Sequence, residues 1–133
     1  MHKNRKSVTN IYRQQSVMTA SPGELTLMLY NECVKDINIA IESINESDME
    51  KAHNYITNSI NIIRELVKTL DMSMPIAKEM LKIYDFIMYK LMQGNVKKDP
   101  EQLKEALTLV EEFRTTWYQV IKTVEREGAK NAI

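Results

Sequence analysis

An all-α fold, arranged as an antiparallel up-down-up-down four-helix bundle, is what this 133-residue sequence predicts, on three observations. Apolar residues recur at steps of three and four in four separate stretches, the spacing that lines one face of a helix. Only three Gly and three Pro punctuate the chain, too few for the many turns of an all-β protein. The stretches are matched in length and separated by about three to five residues, and such short connections force successive helices to run antiparallel.

The first helix is predicted from about Pro22 to Ile44. Ser21 and Glu24 have capping-box spacing, and Pro22 sits where a helix has no N–H to lose. Leu27, Tyr30, Val34, Ile37, Ile41 and Ile44 form its seam. After a short turn, Ser47 or Asp48 with Glu50 opens a second helix, whose seam is Met49, Ala52, Ile56, Ser59, Ile63, Leu66 and Leu70. Asp71 to Ser73 break it. Ser73 and Pro75 start the third, which runs to about Gln93, where Gly94 and Asn95 offer the left-handed residue that ends helices. Asp99, Pro100 and Gln102 start the fourth. Leu103, Ala106, Val110, Phe113, Trp117, Val120 and Val124 form its seam, and Gly128 is its expected stop.

Charge divides the chain. Lys3, Arg5, Lys6 and Arg13, with no acidic residue up to position 20, give the leader a formal +4 and leave −4 for the remainder of a neutral protein. The expected organisation is a flexible basic leader over 1–20, the bundle over 21–128 and a disordered tail over 129–133. A neutral chain lacks the positive field that a phosphate backbone requires, so nucleic acid is not the expected partner. Neither a secretory h-region nor an apolar run of membrane-spanning length is present, so no membrane insertion is expected. Cys33, the one cysteine, can form no internal disulfide and fits a reducing, cytoplasmic compartment.

No catalytic chemistry, metal or cofactor is expected. Glu50 to His53 is an E-x-x-H step of the kind that four-helix di-iron proteins use twice, but His2 and His53 are the only histidines. Cys33 falls on the apolar side of its helix with no cation placed to activate it. Tyr84 and Trp117 fall on seams as core aromatics, and Asp85 falls on the polar side of the third helix. Hydrophobicity is in excess instead. From Ile76 to Met92, 12 of 17 residues are hydrophobic and sweep more than half of the helix circumference. Leu25, Met28 and Ile39 lie away from the first helix's seam. Surplus apolar area on a small protein marks an interaction surface, and nine methionines suit a surface that adapts to another chain. The residues alone leave open a client-binding module, a metal or redox enzyme and a self-associating bundle.

Tyr12, the run Val17 to Pro22, Glu24 with Leu25, and Met28 to Tyr30 resemble the opening signature of the flagellar secretion chaperone family, FliS. Asn61 to Ile63, Glu65 with Leu66, Ile83 to Ile87 with Leu91 and Asn95, and Arg114 with Trp117 resemble its later signatures in the same order. Gly23, Glu32, Cys33, Asn58 and Ser59 depart from the family pattern. The resemblance implies a non-enzymatic cytoplasmic chaperone that takes the disordered C-terminal segment of flagellin in apolar grooves. It also implies that the client is kept from premature polymerisation and delivered to the cytoplasmic domain of the flagellar export gate, with other flagellar regulatory proteins or co-chaperones as further partners. The leader, as a segment or a small cap helix, is then expected to fold over part of the client surface through Ile11 and Tyr12. Leu25, Met28, Ile76, Met80, Ile83 and Ile87 are the nominated client-binding residues.

Overall fold

The computed structural model describes residues 22–131, which form four helices: α1 (Pro22–Asn45), α2 (Met49–Lys68), α3 (Pro75–Lys97) and α4 (Pro100–Asn131). Each packs on its neighbour in sequence, and α4 closes the ring against α1. This is the predicted antiparallel bundle, with α1 and α3 on one diagonal and α2 and α4 on the other. Ser21, Ile11 and Tyr12, and with them the expected cap and leader contacts, lie outside the described residues.

The short connections are built from local hydrogen bonds. Ser47 adopts a left-handed φ of 61° between α1 and α2, and the Asp48 carboxylate accepts from the Lys51 amide at 3.1 Å, the cap expected there. Between α2 and α3 the Asp71 carboxylate accepts from both the amide and the hydroxyl of Ser73, and these bonds hold its carboxyl below the usual range. Between α3 and α4 the Asp99 carboxylate accepts from the Glu101 amide at 3.0 Å.

Two predicted helix ends are corrected. Gly94 does not stop α3. It lies buried inside the helix, where an added Cβ would come within 2.5 Å of the Leu103 side chain, so its missing side chain serves close packing against α4. The left-handed residue is Lys98, at φ 49°, with its amine held by the Asn95 carbonyl. Gly128 does not stop α4 either. The helix continues to Asn131, so the first three residues of the expected tail are helical. A single glycine costs a helix about 1 kcal/mol relative to Ala, too little to end it.

Most predicted seam positions are buried, whereas Met49, expected on the α2 seam, is exposed, and Leu29, Cys33, Ala40, Ile60 and Ile62 join the core from beside the seams. Tyr30, Ile37, Ile56, Ile63, Leu66, Tyr84, Ile87, Leu91 and Leu103 are all buried. The Tyr30 and Tyr84 hydroxyls meet at 2.5 Å across the α1–α3 diagonal, with Phe113 stacked on Tyr30 and tilted against Tyr84. Ser43 and Ser59 donate to carbonyls one turn back, and the Cys33 thiol faces the Ser59 carbonyl at 3.9 Å. Burial pushes the pKa of the Tyr30 and Tyr84 phenols and of the Cys33 thiol above their ordinary ranges, making all three harder to ionise. Among the described residues no buried side-chain N or O lacks a partner.

Candidate functional site: an apolar groove at one end of the bundle

Burial stops partway along α4. Val110 is its last buried residue, and from Glu111 to Gly128 none is buried. Val120 and Val124, predicted as core, are 41% and 64% exposed. Their seven- and four-residue steps continue the row Gln102, Leu109, Phe113, and Gln102 accepts from the Lys90 amine of α3 at 3.1 Å. The two valines therefore extend the flank of α4 that faces α3.

On α3 the corresponding flank is fixed by the same lysine, which also pairs with Glu105 at 2.8 Å. Ile83 and Ile76 stand seven and fourteen residues before Lys90, close to two and four full turns, so they share its flank. Ile76 is 61% exposed and Ile83 38%. Phe86, one turn before Lys90, carries the lysine amine over its ring at 5.5 Å and is itself exposed. Because Tyr84 packs on Phe113 and the helices are antiparallel, stepping back eight residues on α3 and forward eight on α4 brings Ile76 level with Ile121. Ile76 thus stands level with Val120 and within about a turn of Val124 across the α3–α4 groove, and Ile83 and Phe86 carry the exposed α3 flank on toward the end closed by Lys90, Gln102 and Glu105.

Trp117 fixes α4 at this level to the start of α1. Its indole N–H donates to the Gly23 carbonyl at 2.8 Å, and Ile121 lies 3.7 Å from where a Cβ on Gly23 would stand. Trp117 is a half-buried staple packed on the core's edge, not the enclosed core aromatic predicted. Tyr84 is the enclosed one.

The six nominated residues are not gathered into one groove. Ile76 and Ile83 lie in it, whereas Met80 is half-buried against the core. Ile87, at 0% exposure, is a core residue, because it falls about 40° around the helix from Ile83, toward the bundle axis. Leu25 and Met28 are half-buried on α1, which does not adjoin α3. Leu25 points away from α4, since it lies 200° around the helix from Leu27, which faces Arg114 and Tyr118 of α4. Phe86, Val120 and Val124 were missed as site residues. Phe86 stood in the excess of α3 without being nominated, and the valines carry a seam spacing indistinguishable from core.

Among the described residues no group of three or more His, Cys, Asp or Glu could hold a metal ion. His53 is exposed and bonded to Asn95, and no helix is long and apolar enough to cross a membrane. A family model described as "Flagellar protein FliS" matches residues 4–124. The FliS flagellar secretion chaperone of Bacillus subtilis (strain 168) is 40% identical over 116 residues, 87% of each chain. The chain belongs to the FliS family. The FliS chaperone of Salmonella typhimurium is 25% identical over 118 residues, covering 86% of this chain and 87% of the relative. A crystal structure of a bacterial flagellar chaperone shares the fold, with a TM-score of 0.71 at 15% identity over 90% of this chain and 98% of that one. FliS proteins are non-enzymatic flagellar secretion chaperones.

Proposed function

We propose that this FliS-family protein holds the C-terminal segment of flagellin in the cytoplasm, with an amphipathic helix of the client laid in the α3–α4 groove. Held there, the client is kept from premature polymerisation and carried to the cytoplasmic domain of the flagellar export gate, where other flagellar regulatory proteins or co-chaperones join. The observation that carries the reading is the exposed row Ile76, Ile83 and Phe86 on α3 together with the exposed Val120 and Val124 on the neighbouring flank of α4. Apolar groups presented at helical spacing by two adjacent helices match the apolar stripe of a third. Each Å² of apolar surface covered contributes about 25 cal/mol, against the cost of ordering a disordered client. Leu25 and Met28, on another side of the bundle, serve a client long enough to wrap around it. Ile11 and Tyr12 of the leader compete for the same apolar surface when no client is bound, which lowers the client's apparent affinity.

Calorimetric titration with the host flagellin's C-terminal segment tests this. Ile76→Glu and Ile83→Glu each place a charge on a surface the client must desolvate, and each is expected to weaken binding more than tenfold. Wild-type affinity in a folded Ile76→Glu, Ile83→Glu double variant would remove this groove from the reading.

A further inference from the structure

A second recess lies on the opposite flank of α4, against α1, where Leu27, Asn31, Arg114, Thr115 and Tyr118 line a hollow of about 360 Å³. Arg114 is half-buried there and makes no hydrogen bond or ion pair among the described residues. The contrast with its neighbours is clear: Lys90, Lys104 and Lys122 each pair with a glutamate. A guanidinium partly withdrawn from water presents a planar fork of donors suited to a carboxylate. Beside it stand the Thr115 hydroxyl and the Asn31 amide, while Leu27 and the Tyr118 ring supply an apolar wall. Lys122 places a second cation 5.4 Å from the centre of that ring.

We infer that this recess binds the free α-carboxylate at the end of a partner chain, with the terminal side chain against Leu27 and Tyr118. A chain end presents, within one residue, a carboxylate for Arg114, a peptide group for Asn31 and Thr115, and a side chain for the wall. A polyanion does not fit, because Glu111 and Glu112 line the adjoining hollow with Thr115 and repel any extended run of negative charge. The attraction is local to one guanidinium. The inference rests on the proposed client, whose bound segment is C-terminal, and makes its terminus a recognition element in its own right.

The test compares two synthetic peptides spanning the host flagellin's C-terminal segment, one a free acid and one a C-terminal amide, by fluorescence anisotropy. Loss of a charge-assisted contact predicts that the amide binds wild type about tenfold more weakly. Arg114→Gln should bind both peptides at the level of the amide, and Arg114→Lys should keep part of the preference. Ile83→Glu should weaken both peptides alike and leave their ratio unchanged. Equal, tight binding of acid and amide to wild type overturns the terminal-carboxylate site while leaving the client reading intact. Failure of both peptides to bind wild type overturns the client reading and this site together. The acid-to-amide ratio on wild type needs no variant, so it decides the matter even if Arg114→Gln misfolds.

Discussion

The two ends of this bundle are built to different standards. At the end formed by the α1–α2 and α3–α4 turns, Ala52, Ile56, Leu91, Leu103 and Ala106 are all fully enclosed, and Gly94 brings α3 into close contact with Leu103. At the other end Met72, Met74, Ile76, Val120 and Val124 are exposed, and α1 is tied to α4 through the Trp117 indole. One sequence pattern, apolar residues at steps of three and four, produces both. What differs is whether a neighbouring helix is present at the required height with a side chain small enough to let it approach. A seam position thus becomes core or contact surface according to its partner, not its spacing.

Alkaline pH is expected to have the largest effect, and it acts on the enclosed layer. Tyr30, Tyr84 and Cys33 are harder to ionise folded than unfolded, so as pH rises the unfolded chain releases protons first. Stability is therefore complete below the ordinary Cys and Tyr values of 9.0 and 10.0 and falls as pH rises above them. Circular dichroism against pH should show cooperative unfolding in that range, displaced upward in a Tyr30→Phe, Tyr84→Phe variant. Coincident curves for the two proteins would contradict the enclosure of the phenols.

Truncation sharpens the comparison. Leu91→Ala at the enclosed end should cost about 2–5 kcal/mol, whereas Ile76→Ala at the open end should stay within about 0.5 kcal/mol, both from urea denaturation midpoints. Similar losses would erase the distinction between the ends. Gly94→Ala comes next, at about 1–3 kcal/mol, since its Cβ overlaps an enclosed Leu103; a neutral result would show that the α3–α4 contact yields readily. Trp117→Phe should be smallest, about 0.5–1.5 kcal/mol for one hydrogen bond with the ring area largely kept. A loss as large as that of Leu91→Ala would make Trp117 a core residue after all.

The four helices and most of their seams were legible because periodicity and capping residues are local properties. Asp48 and Pro75 mark helix starts whatever surrounds them. Gly94 was read as a stop because its reason for being glycine is Leu103, nine residues away across a turn. Ile83 and Ile87 stand one turn apart, and only the position of α4 decides which faces the groove and which the core. Val120 and Val124 carry a seam that outlasts its enclosure. Arg114 stood out in the sequence only as part of a family signature with Trp117, and nothing local marked its recess, which exists only where α1 and α4 are brought side by side.

The hydroxyl contact between Tyr30 and Tyr84 sets a limit on how such a bundle can rearrange. Aliphatic seams are nearly interchangeable when one helix slides past another by a turn, about 5.4 Å, because Ile and Leu find similar hollows there. Two phenols are not. A slide of that size would strand both hydroxyls in an apolar interior, at about 1–3 kcal/mol for each unsatisfied group. The pair therefore acts as a transverse pin across the diagonal. Movement at the open end is left to take the form of helix tips spreading about a fixed middle, and the groove can widen without the bundle losing its alignment.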